Sequence, residues 1–244
     1  MNQQLKNLTM LHLREGMVFL VDKPKNWTSF DVVAKLRGTI KNKLDVRKHK
    51  VGHAGTLDPL ATGLLIICTG RLTKTIESYQ NLSKEYTGVI TLGATTPSFD
   101  LETPFDAHFP IDHITEEEME RARESLTGII MQNVPVYSAI KVDGQRSYHR
   151  ARRGEAVRIK SREVQVHDFE LDYVDFPNLN FRTTVSKGTY IRAIADDFGR
   201  LVHSGGHLAE LRRTKIGSYH VDDAWTIDAL IEAINALEET KLHG

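Results

Sequence analysis

Apolar residues follow two periods along this chain, one typical of strands and one typical of helices. Val18 to Val21 and Leu64 to Cys68 are short continuous apolar runs, which predict buried strands. Tyr86 to Leu92 places Tyr86, Gly88, Ile90 and Leu92 on one side, which predicts a half-buried strand. Apolar residues at helical spacing predict helices that begin near Ser29, Tyr190 and Thr226.

The predicted helices differ in how clearly their starts are marked. Ser29 is expected to cap the first helix, and Thr115 with Glu118 forms a capping box for a helix that runs to about Thr127. The other predictions are helices over Leu72–Leu82 and Tyr190–Val202, strands over Val164–Val174 and Phe181–Val185, a basic loop over Lys41–Lys50 and a hairpin turn at Lys141–Gly144. Strands and helices mix without regular β-α-β alternation, so the sequence predicts an α+β fold.

The charge is balanced overall but uneven along the chain. The 244 residues include 32 Lys and Arg and 32 Asp and Glu, and a net charge of zero taken alone argues against a nucleic-acid binder. However, Lys35–Lys50 has seven basic residues and one acid, Lys141–Arg162 has eight and two, and Pro97–Glu124 has nine acids. Segregated charge can give a neutral protein a basic face that suits a phosphate backbone, although a solvated surface is the commoner explanation of such runs.

Several classes of protein are excluded by simple features. Cys68 is the single cysteine, so an internal disulfide is impossible. No apolar stretch approaches the roughly 20 residues needed to span a bilayer, and the first ten residues lack the apolar region of a signal peptide. We therefore expect a cytoplasmic protein.

Lys50 to Leu65 is the segment richest in candidate chemistry. It holds Gly52, Gly55 and Gly63, one carboxylate at Asp58 and one histidine at His53, in a loop before a predicted buried strand. Glycines allow close backbone approach or positive φ, so such a loop suits a rigidly held reactive side chain. From the residues alone, Asp58 is a nucleophile, a general base, a metal ligand or only part of an Asp-Pro turn. Phosphate-loop, zinc-ligand and G-x-S-x-G spacings are absent from the sequence.

Six segments, in order, resemble the motifs of the TruB family of pseudouridine synthases. The most informative is the run Gly52–Gly63, GHAGTLDPLATG, which resembles the family signature. The others are Val21–Ser29, Lys84–Tyr86, Tyr137–Arg146 with Tyr148 and Ala151–Arg152, Ser186–Arg192 and His207–Gly217. The resemblance covers about residues 17 to 217, nearly the whole catalytic region.

The resemblance implies a fold, a reaction and three catalytic residues. The fold is that of pseudouridine synthases, with a central mixed, mostly antiparallel sheet flanked by helices and loops. The reaction is isomerisation of uridine to pseudouridine in the tRNA T-loop, at position 55, after the base leaves its stack. Asp58 is implied as the nucleophile, which attacks C6 or assists departure at C1′. Arg192 is implied as its partner and Tyr86 as the residue that stacks on the target base. Neither a cofactor nor a metal is needed.

Further residues are implied in RNA binding. His53 resembles a residue that helps to hold the opened loop, and Lys23, Lys74 and Tyr190 match positions near the family's site. The basic segment Gln145–Arg162 resembles the region that closes over RNA, and its candidates are Arg146, Arg150, Arg152 and Arg153. Their expected partners are phosphates, so affinity should fall with salt.

The expected organisation is a catalytic domain over residues 1–217 and a short C-terminal helical extension over 218–244, without the PUA domain found in many family members. We expect a monomer that binds the tRNA T-arm and requires neither a membrane nor a protein partner. Two alternatives share the scaffold: a non-catalytic tRNA-folding chaperone and a guide-RNA-dependent synthase of the dyskerin/Cbf5 type. A hydrolase with an acidic site is a third reading, but no motif supplies the second carboxylate or metal it needs.

Overall fold

The computed structural model of the chain describes residues 8–137, 141–142, 145–146 and 161–238, with the backbone alone for 141–142 and 145–146. These residues fall into two compact units. Unit 1 contains the chain up to Lys84 and again from Arg212, and unit 2 contains Glu85–Leu211.

The elements are numbered here in chain order. They are α1 (Met10–Glu15), β1 (Val18–Lys23), α2 (Ser29–Leu44), β2 (Val51–His53), β3 (Thr62–Thr69), α3 (Ile76–Gln80), β4 (Lys84–Leu92), β5 (Ala94–Thr95), β6 (Ala107–His108), α4 (Glu116–Ser125), β7 (Gly128–Asn133), β8 (Lys141–Val142), β9 (Gln145–Arg146), β10 (Ser161–Asp172), β11 (Asn178–Val185), α5 (Ile191–Leu201), β12 (Gly206–Ile216), β13 (Tyr219–His220), β14 (Trp225–Thr226) and α6 (Ile227–Asn235). Short 3-10 turns cover Gly70–Thr75 and Val221–Asp223.

Unit 1 is built around β1 and β3, which pair antiparallel with Val21 opposite Leu65. β14 pairs with β1, and the C-terminal part of β12 pairs with β3, both in parallel. β2 extends β3, and β13 extends β12. Side chains of β3 alternate between two cores. Leu65 and Ile67 pack in the core that includes buried residues of α2 and α6, and Leu64 and Ile66 pack in a second core with Leu20 and Ile216.

Helix α2 confirms the predicted helix but not its predicted ends. Thr28, rather than Ser29, is the N-cap, because its hydroxyl accepts from the backbone N–H of Asp31 while the Asp31 carboxylate accepts from the N–H of Thr28. The helix continues to Leu44, so the first part of the predicted basic loop is helical. It ends at Asp45, which adopts the left-handed conformation with φ +50°.

Two other predictions about unit 1 have different outcomes. The helix predicted over Leu72–Leu82 is instead the 3-10 turn Gly70–Thr75 followed by the short helix α3. The cap predicted at Thr226 is confirmed, since its hydroxyl accepts from the N–H of Ala229. Before this helix, β13 and β14 join the sheet of unit 1. The predicted boundary at residue 217 stays a prediction.

Unit 2 contains the strand order β4-β11-β10-β7, with the N-terminal part of β12 beside β4. β10 pairs antiparallel with both β11 and β7. Phe169 on β10 meets Phe181 and Phe198 edge-on, which packs α5 onto the sheet. The capping box of Thr115 and Glu118 is confirmed at the start of α4. The predicted strands and the helix over Tyr190–Val202 are confirmed within a few residues.

Both units mix helices with a mixed, mostly antiparallel sheet, so the predicted α+β class is confirmed. β8 and β9 pair antiparallel where a hairpin turn was predicted. β7 and β12 were not predicted. Within the part of the chain that the structure describes, no helix is long and apolar enough to cross a membrane.

Candidate active site

Asp58 lies in unit 1 on the loop of residues 54–61 that joins β2 to β3. Gly55 in the loop and Gly63 at the start of β3 have φ of +108° and +102°, values that favour glycine. A Cβ on Gly63 would lie 2.3 Å from the carbonyl oxygen of Arg213, so β3 and β12 could not approach as they do with any other residue there. The glycines predicted for close backbone approach therefore include one that the strand pairing requires.

Two buried side chains fix the backbone of this loop. The Ser29 hydroxyl donates to the carbonyl of Leu57 at 3.1 Å and accepts from its N–H at 2.8 Å. The Arg213 guanidinium, 1% exposed, donates to the carbonyl of Gly55 at 3.2 Å and to that of Leu64 at 2.7 Å. A loop has few backbone partners of its own, so these bonds replace the ladder of a strand.

Lys23 holds the same loop from β1. Its fully buried Nζ donates to the carbonyls of Trp27 at 2.6 Å, Pro24 at 2.9 Å and Pro59 at 3.4 Å. Burial lowers the pKa of Lys23 to about 8, with Asp58 opposing the shift and Arg213 adding to it. Lys23 is therefore a buried cation electrostatically linked to Asp58. Its position does not suit the predicted direct contact with RNA.

Asp58 itself is half-buried. Its carbonyl accepts from the N–H of Ala61 at 3.1 Å, so the predicted Asp-Pro turn is present. The turn and the chemistry are compatible, because the turn fixes the backbone while the Asp58 carboxylate interacts electrostatically with the Lys23 cation. Such a carboxylate is suited to act as a nucleophile or a base while the loop backbone that carries it stays in place.

His53 and Lys74 occupy different surroundings in unit 1. His53 ends β2, immediately before the Asp58 loop, and burial with the nearby Arg213 charge lowers its pKa, which favours the neutral imidazole at pH 7. Lys74 is exposed on the 3-10 turn Gly70–Thr75. The structure thus places Lys23 and His53 at the loop that carries Asp58, whereas Lys74 is on the surface.

Arg192 lies in unit 2, in the first turn of α5, and is 4% exposed. Its guanidinium donates to the carbonyls of Ser98 at 2.8 Å and Tyr137 at 2.9 Å. Its Nε lies 3.6 Å from a carboxylate oxygen of Asp100, which is also buried. These contacts fix the plane of the guanidinium, which is the requirement for a directed interaction with a carboxylate or phosphate.

Tyr190 is the N-cap of α5 and is held through its backbone. The Gln132 side chain on β7 accepts from the Tyr190 N–H at 2.8 Å and donates to its carbonyl at 3.0 Å. Tyr86, the predicted stacking residue, is buried on β4, with 8% of its surface exposed. Unit 2 therefore places Tyr190 and Arg192 together at the start of one helix.

Two family models cover most of the sequence. The model of the TruB family pseudouridylate synthase N-terminal domain matches residues 41–191, and that of the tRNA pseudouridylate synthase B C-terminal domain matches residues 192–243. The chain belongs to the TruB family. This family consists of isomerases that form pseudouridine from uridine, so the enzyme class predicted from the motifs is confirmed.

Curated relatives agree with the TruB assignment. A tRNA pseudouridine synthase B from Flavobacterium johnsoniae is 51% identical over 221 residues, which are 90% of this chain and 96% of that protein. One from Phocaeicola vulgatus is 49% identical over 228 residues, 93% of this chain and 97% of that protein.

Solved structures support the predicted pseudouridine synthase fold. A chain in the crystal structure of a Cbf5-Nop10-Gar1 complex matches with a TM-score of 0.68 at 26% identity, over 93% of this chain and 57% of that chain. A chain in an H/ACA RNP bound to a substrate RNA containing 2′-deoxyuridine matches with a TM-score of 0.66 at 23% identity, over 98% and 61%.

Some predicted RNA-binding residues of this TruB chain cannot be placed. Arg150, Arg152 and Arg153 lie outside the described residues, and Arg146 is described only by its backbone in β9. Among the residues that the structure does describe, no group of three or more His, Cys, Asp and Glu side chains could hold a metal ion. The expectation that the reaction needs no metal or cofactor stays a prediction.

Four supporting residues were not predicted as part of the site: Asp100, Gln132, Arg213 and, as a loop tether, Ser29. Ser29 and Arg213 fall inside the motif segments Val21–Ser29 and His207–Gly217 but were given no role in the site, and Asp100 and Gln132 lie outside the motifs. The feature that identifies these residues is a buried polar side chain, and burial becomes known only when the strands have been paired in the structure.

Proposed function

We propose that the protein isomerises uridine to pseudouridine in the T-loop of tRNA, at position 55, with Asp58 as the nucleophile. The observation that carries the proposal is the Asp58 loop: a half-buried carboxylate on a backbone fixed by Ser29, Lys23 and Arg213. Its support from outside the structure is membership of the TruB family and relatives named tRNA pseudouridine synthase B.

The reaction rearranges bonds within one nucleotide. The N1–C1′ bond breaks, the uracil turns, C5 bonds to C1′, and the proton on C5 is lost while N1 gains one. Atoms and electrons balance without an oxidant, a reductant or a second substrate. A single covalent catalyst suffices, so one fixed carboxylate that attacks C6 or assists at C1′ meets the chemical requirement. The base must leave its stack to reach that carboxylate.

Arg192 and Tyr86 complete the proposed machinery, with roles taken from the family resemblance. A guanidinium already fixed by two carbonyls and Asp100 keeps its charge and orientation through the reaction. A buried tyrosine ring on a strand offers a rigid face for stacking on a base. Their proposed effects are on the chemical step more than on RNA affinity.

RNA binding is assigned to His53, Lys74 and Tyr190 and to the basic residues Arg146, Arg150, Arg152 and Arg153. Lys23 is now proposed as a positioning residue, because its buried amine is occupied by three backbone carbonyls. Phosphate contacts release counterions, so tRNA affinity should fall steeply as salt rises.

The test uses an unmodified tRNA transcript, the full chain, and no guide RNA or partner protein. Pseudouridine is mapped after incubation with the wild type, Asp58→Asn and Asp58→Ala. We expect product at position 55 with the wild type only, and tRNA binding by all three. Product from Asp58→Ala would refute the assignment of the nucleophile, and product that appears only with an added guide RNA would favour the guide-dependent alternative. Binding without product in the wild type would favour the chaperone.

Arg192→Ala separates chemistry from binding. We expect its rate of product formation under saturating tRNA to fall by a factor of about 100 or more, as for removal of a group that stabilises developing charge, with affinity largely kept. Arg182→Ala, on an exposed arginine of unit 2 that pairs with Glu85, is the matched control and should keep the wild-type rate. Normal turnover of Arg192→Ala would remove it from the machinery.

A further inference from the structure

Arg162, at the start of β10, stacks on the ring of Tyr190. Its Cζ lies 4.7 Å from the ring centroid. The side chain is partly buried, and its Nε is shielded from solvent without a hydrogen-bond partner. Within the described part of the chain no carboxylate pairs with this guanidinium. A shielded donor left unused is costly, so this arrangement needs an explanation.

The guanidinium is held in place from two sides. On one side, a Cβ at Gly188 would lie 3.1 Å from Nη1 of Arg162, and Gly188 has φ +84°, so a side chain at this position would crowd the guanidinium. On the other side, Tyr190 is fixed by the two hydrogen bonds from Gln132. The guanidinium therefore lies between the turn at Gly188 and a tyrosine whose backbone is hydrogen-bonded on both sides.

The charge of Arg162 is opposite to the one this location favours. Tyr190 is the N-cap of α5, no side chain caps that end, and the first turn of α5 contains no acid. Helix N-termini favour anions and disfavour cations. Arg162 thus adds a second positive centre beside an already positive helix end, an arrangement stabilised by a bound anion.

We propose that Arg162 binds a backbone phosphate of the substrate RNA, next to Tyr190. A planar guanidinium whose face is stacked still presents its edge, and paired N–H groups at that edge match two phosphate oxygens. The proposal rests on the proposed function, because it takes RNA as the source of the phosphate. The proposal adds Arg162 to the RNA-binding residues. Its contact partner Tyr190 precedes Arg192 by two residues in the chain.

The experiment measures tRNA affinity across a range of salt in the Asp58→Asn background, where no turnover is expected. Arg162→Gln should raise Kd about fivefold to tenfold at 0.1 M salt and reduce the slope of log K against log salt by about one, as for loss of a single phosphate contact. Arg182→Gln is the matched control: its guanidinium is exposed on β11 and already paired with Glu85 at 3.1 Å, so both quantities should stay unchanged.

Arg162→Lys distinguishes a lost phosphate contact from lost packing on Tyr190. Lysine keeps the charge but loses the planar stack, so we expect the wild-type slope with a smaller rise in Kd. An unchanged slope and Kd in Arg162→Gln would overturn the proposal. An equal fall in slope for both variants would also overturn it, since it would show that packing rather than charge is responsible.

Two further measurements are needed. One distinguishes RNA phosphate from free phosphate as the ligand of Arg162, and the other tests the proposed function independently of the Arg162 site. If inorganic phosphate binds the wild type but not Arg162→Gln, while both bind tRNA equally, the site belongs to a free anion and the RNA assignment is overturned. Pseudouridine formation is measured separately with Asp58 intact. Absence of product with the expected Arg162 effect on affinity would reject the proposed function alone, and normal product without that effect would reject the Arg162 site alone.

Discussion

Gln132→Leu removes two hydrogen bonds that join β7 to the start of α5. The size of the effect can be worked out from the structure. Gln132 has no exposed surface, and its amide makes both a donor and an acceptor bond to the backbone of Tyr190. Leucine has a similar volume and fills the site without either bond. The N–H and carbonyl of Tyr190 then lose their partner.

The size of the effect follows from these two orphaned groups. A buried polar group left without its partner costs about 1–3 kcal/mol, and Tyr190 is only partly buried, so water recovers some of that cost. We expect a loss of about 2–3 kcal/mol in the free energy of unfolding, or about 4–12 °C in Tm for a chain of this length. Arg192 follows Tyr190 by two residues. A small displacement of a catalytic group costs up to about 100-fold, so kcat should fall about tenfold or more.

The assay combines thermal unfolding with single-turnover pseudouridine formation and tRNA affinity. Gln165→Leu is the matched control, because Gln165 is exposed on the neighbouring strand β10. Gln132→Glu is the graded variant: it keeps an acceptor for the Tyr190 N–H and loses the donor. We expect the rate to decline in the order wild type and Gln165→Leu, then Gln132→Glu, then Gln132→Leu, with smaller changes in affinity.

Wild-type stability and turnover in Gln132→Leu would refute the reasoning, since they would show that the two bonds neither stabilise α5 nor place Arg192. A variant that loses tRNA affinity but keeps the wild-type kcat would contradict the reasoning in a different way. It would mean that Gln132 acts on RNA binding through Tyr190 and not on the position of the guanidinium.

Three further predictions concern single positions. Burial, with a contribution from the adjacent Asp196 charge, raises the pKa of Asp197 to about 6. The folded state therefore binds the extra proton between about pH 4 and 6 and loses stability as pH rises through that window. The carboxyl is partly exposed, so solvent screening reduces the effect of the full pKa shift. Asp197→Asn should be more stable than the wild type by about 1–2 kcal/mol at pH 8 and equal to it below pH 4 in urea unfolding. Arg213→Gln should cost about 3 kcal/mol and most of the activity, whereas Arg212→Gln, on a partly exposed arginine paired with Asp22, should cost under about 1 kcal/mol in the same unfolding assay. Gly63→Ala should destabilise by about 2 kcal/mol or more because of its φ and the Arg213 carbonyl, while Gly38→Ala, in open space on α2, should leave Tm unchanged or raise it.

The hydrophobic pattern predicted the strands and helices that bury apolar side chains, and it missed those that bury polar or charged side chains. The run Leu64–Cys68 reads as a buried strand because every side chain in it is apolar, and the structure confirms it as part of β3. β12 was missed because its C-terminal part carries Arg212 and Arg213, and Arg213 points inward. A charged residue on a buried face breaks the apolar pattern, so no period-two signal remains.

The same distinction separates the predicted from the unpredicted parts of the candidate site. Asp58, Tyr86 and Arg192 were named because they fall in motifs. Asp100 and Gln132 were not, because each acts through one contact to a residue far away in the chain: Arg192 is 92 positions from Asp100, and Tyr190 is 58 from Gln132. No local pattern encodes such pairs, and they become visible only when the loops are placed.

Lys23 shows how burial changes the role that we propose for a basic residue. The family resemblance listed Lys23 among the RNA-binding candidates, but its amine is buried and bound to backbone carbonyls. Arg213 follows the same rule on the other side of the loop, at Gly55 and Leu64. A loop that carries a reactive side chain has carbonyls without ladder partners, and a cation satisfies them more strongly than a neutral donor does. The desolvation this requires is consistent with the lowered pKa of Lys23. Basic residues near such a loop therefore divide by burial: exposed ones are candidates for RNA, and buried ones hold the backbone that positions Asp58.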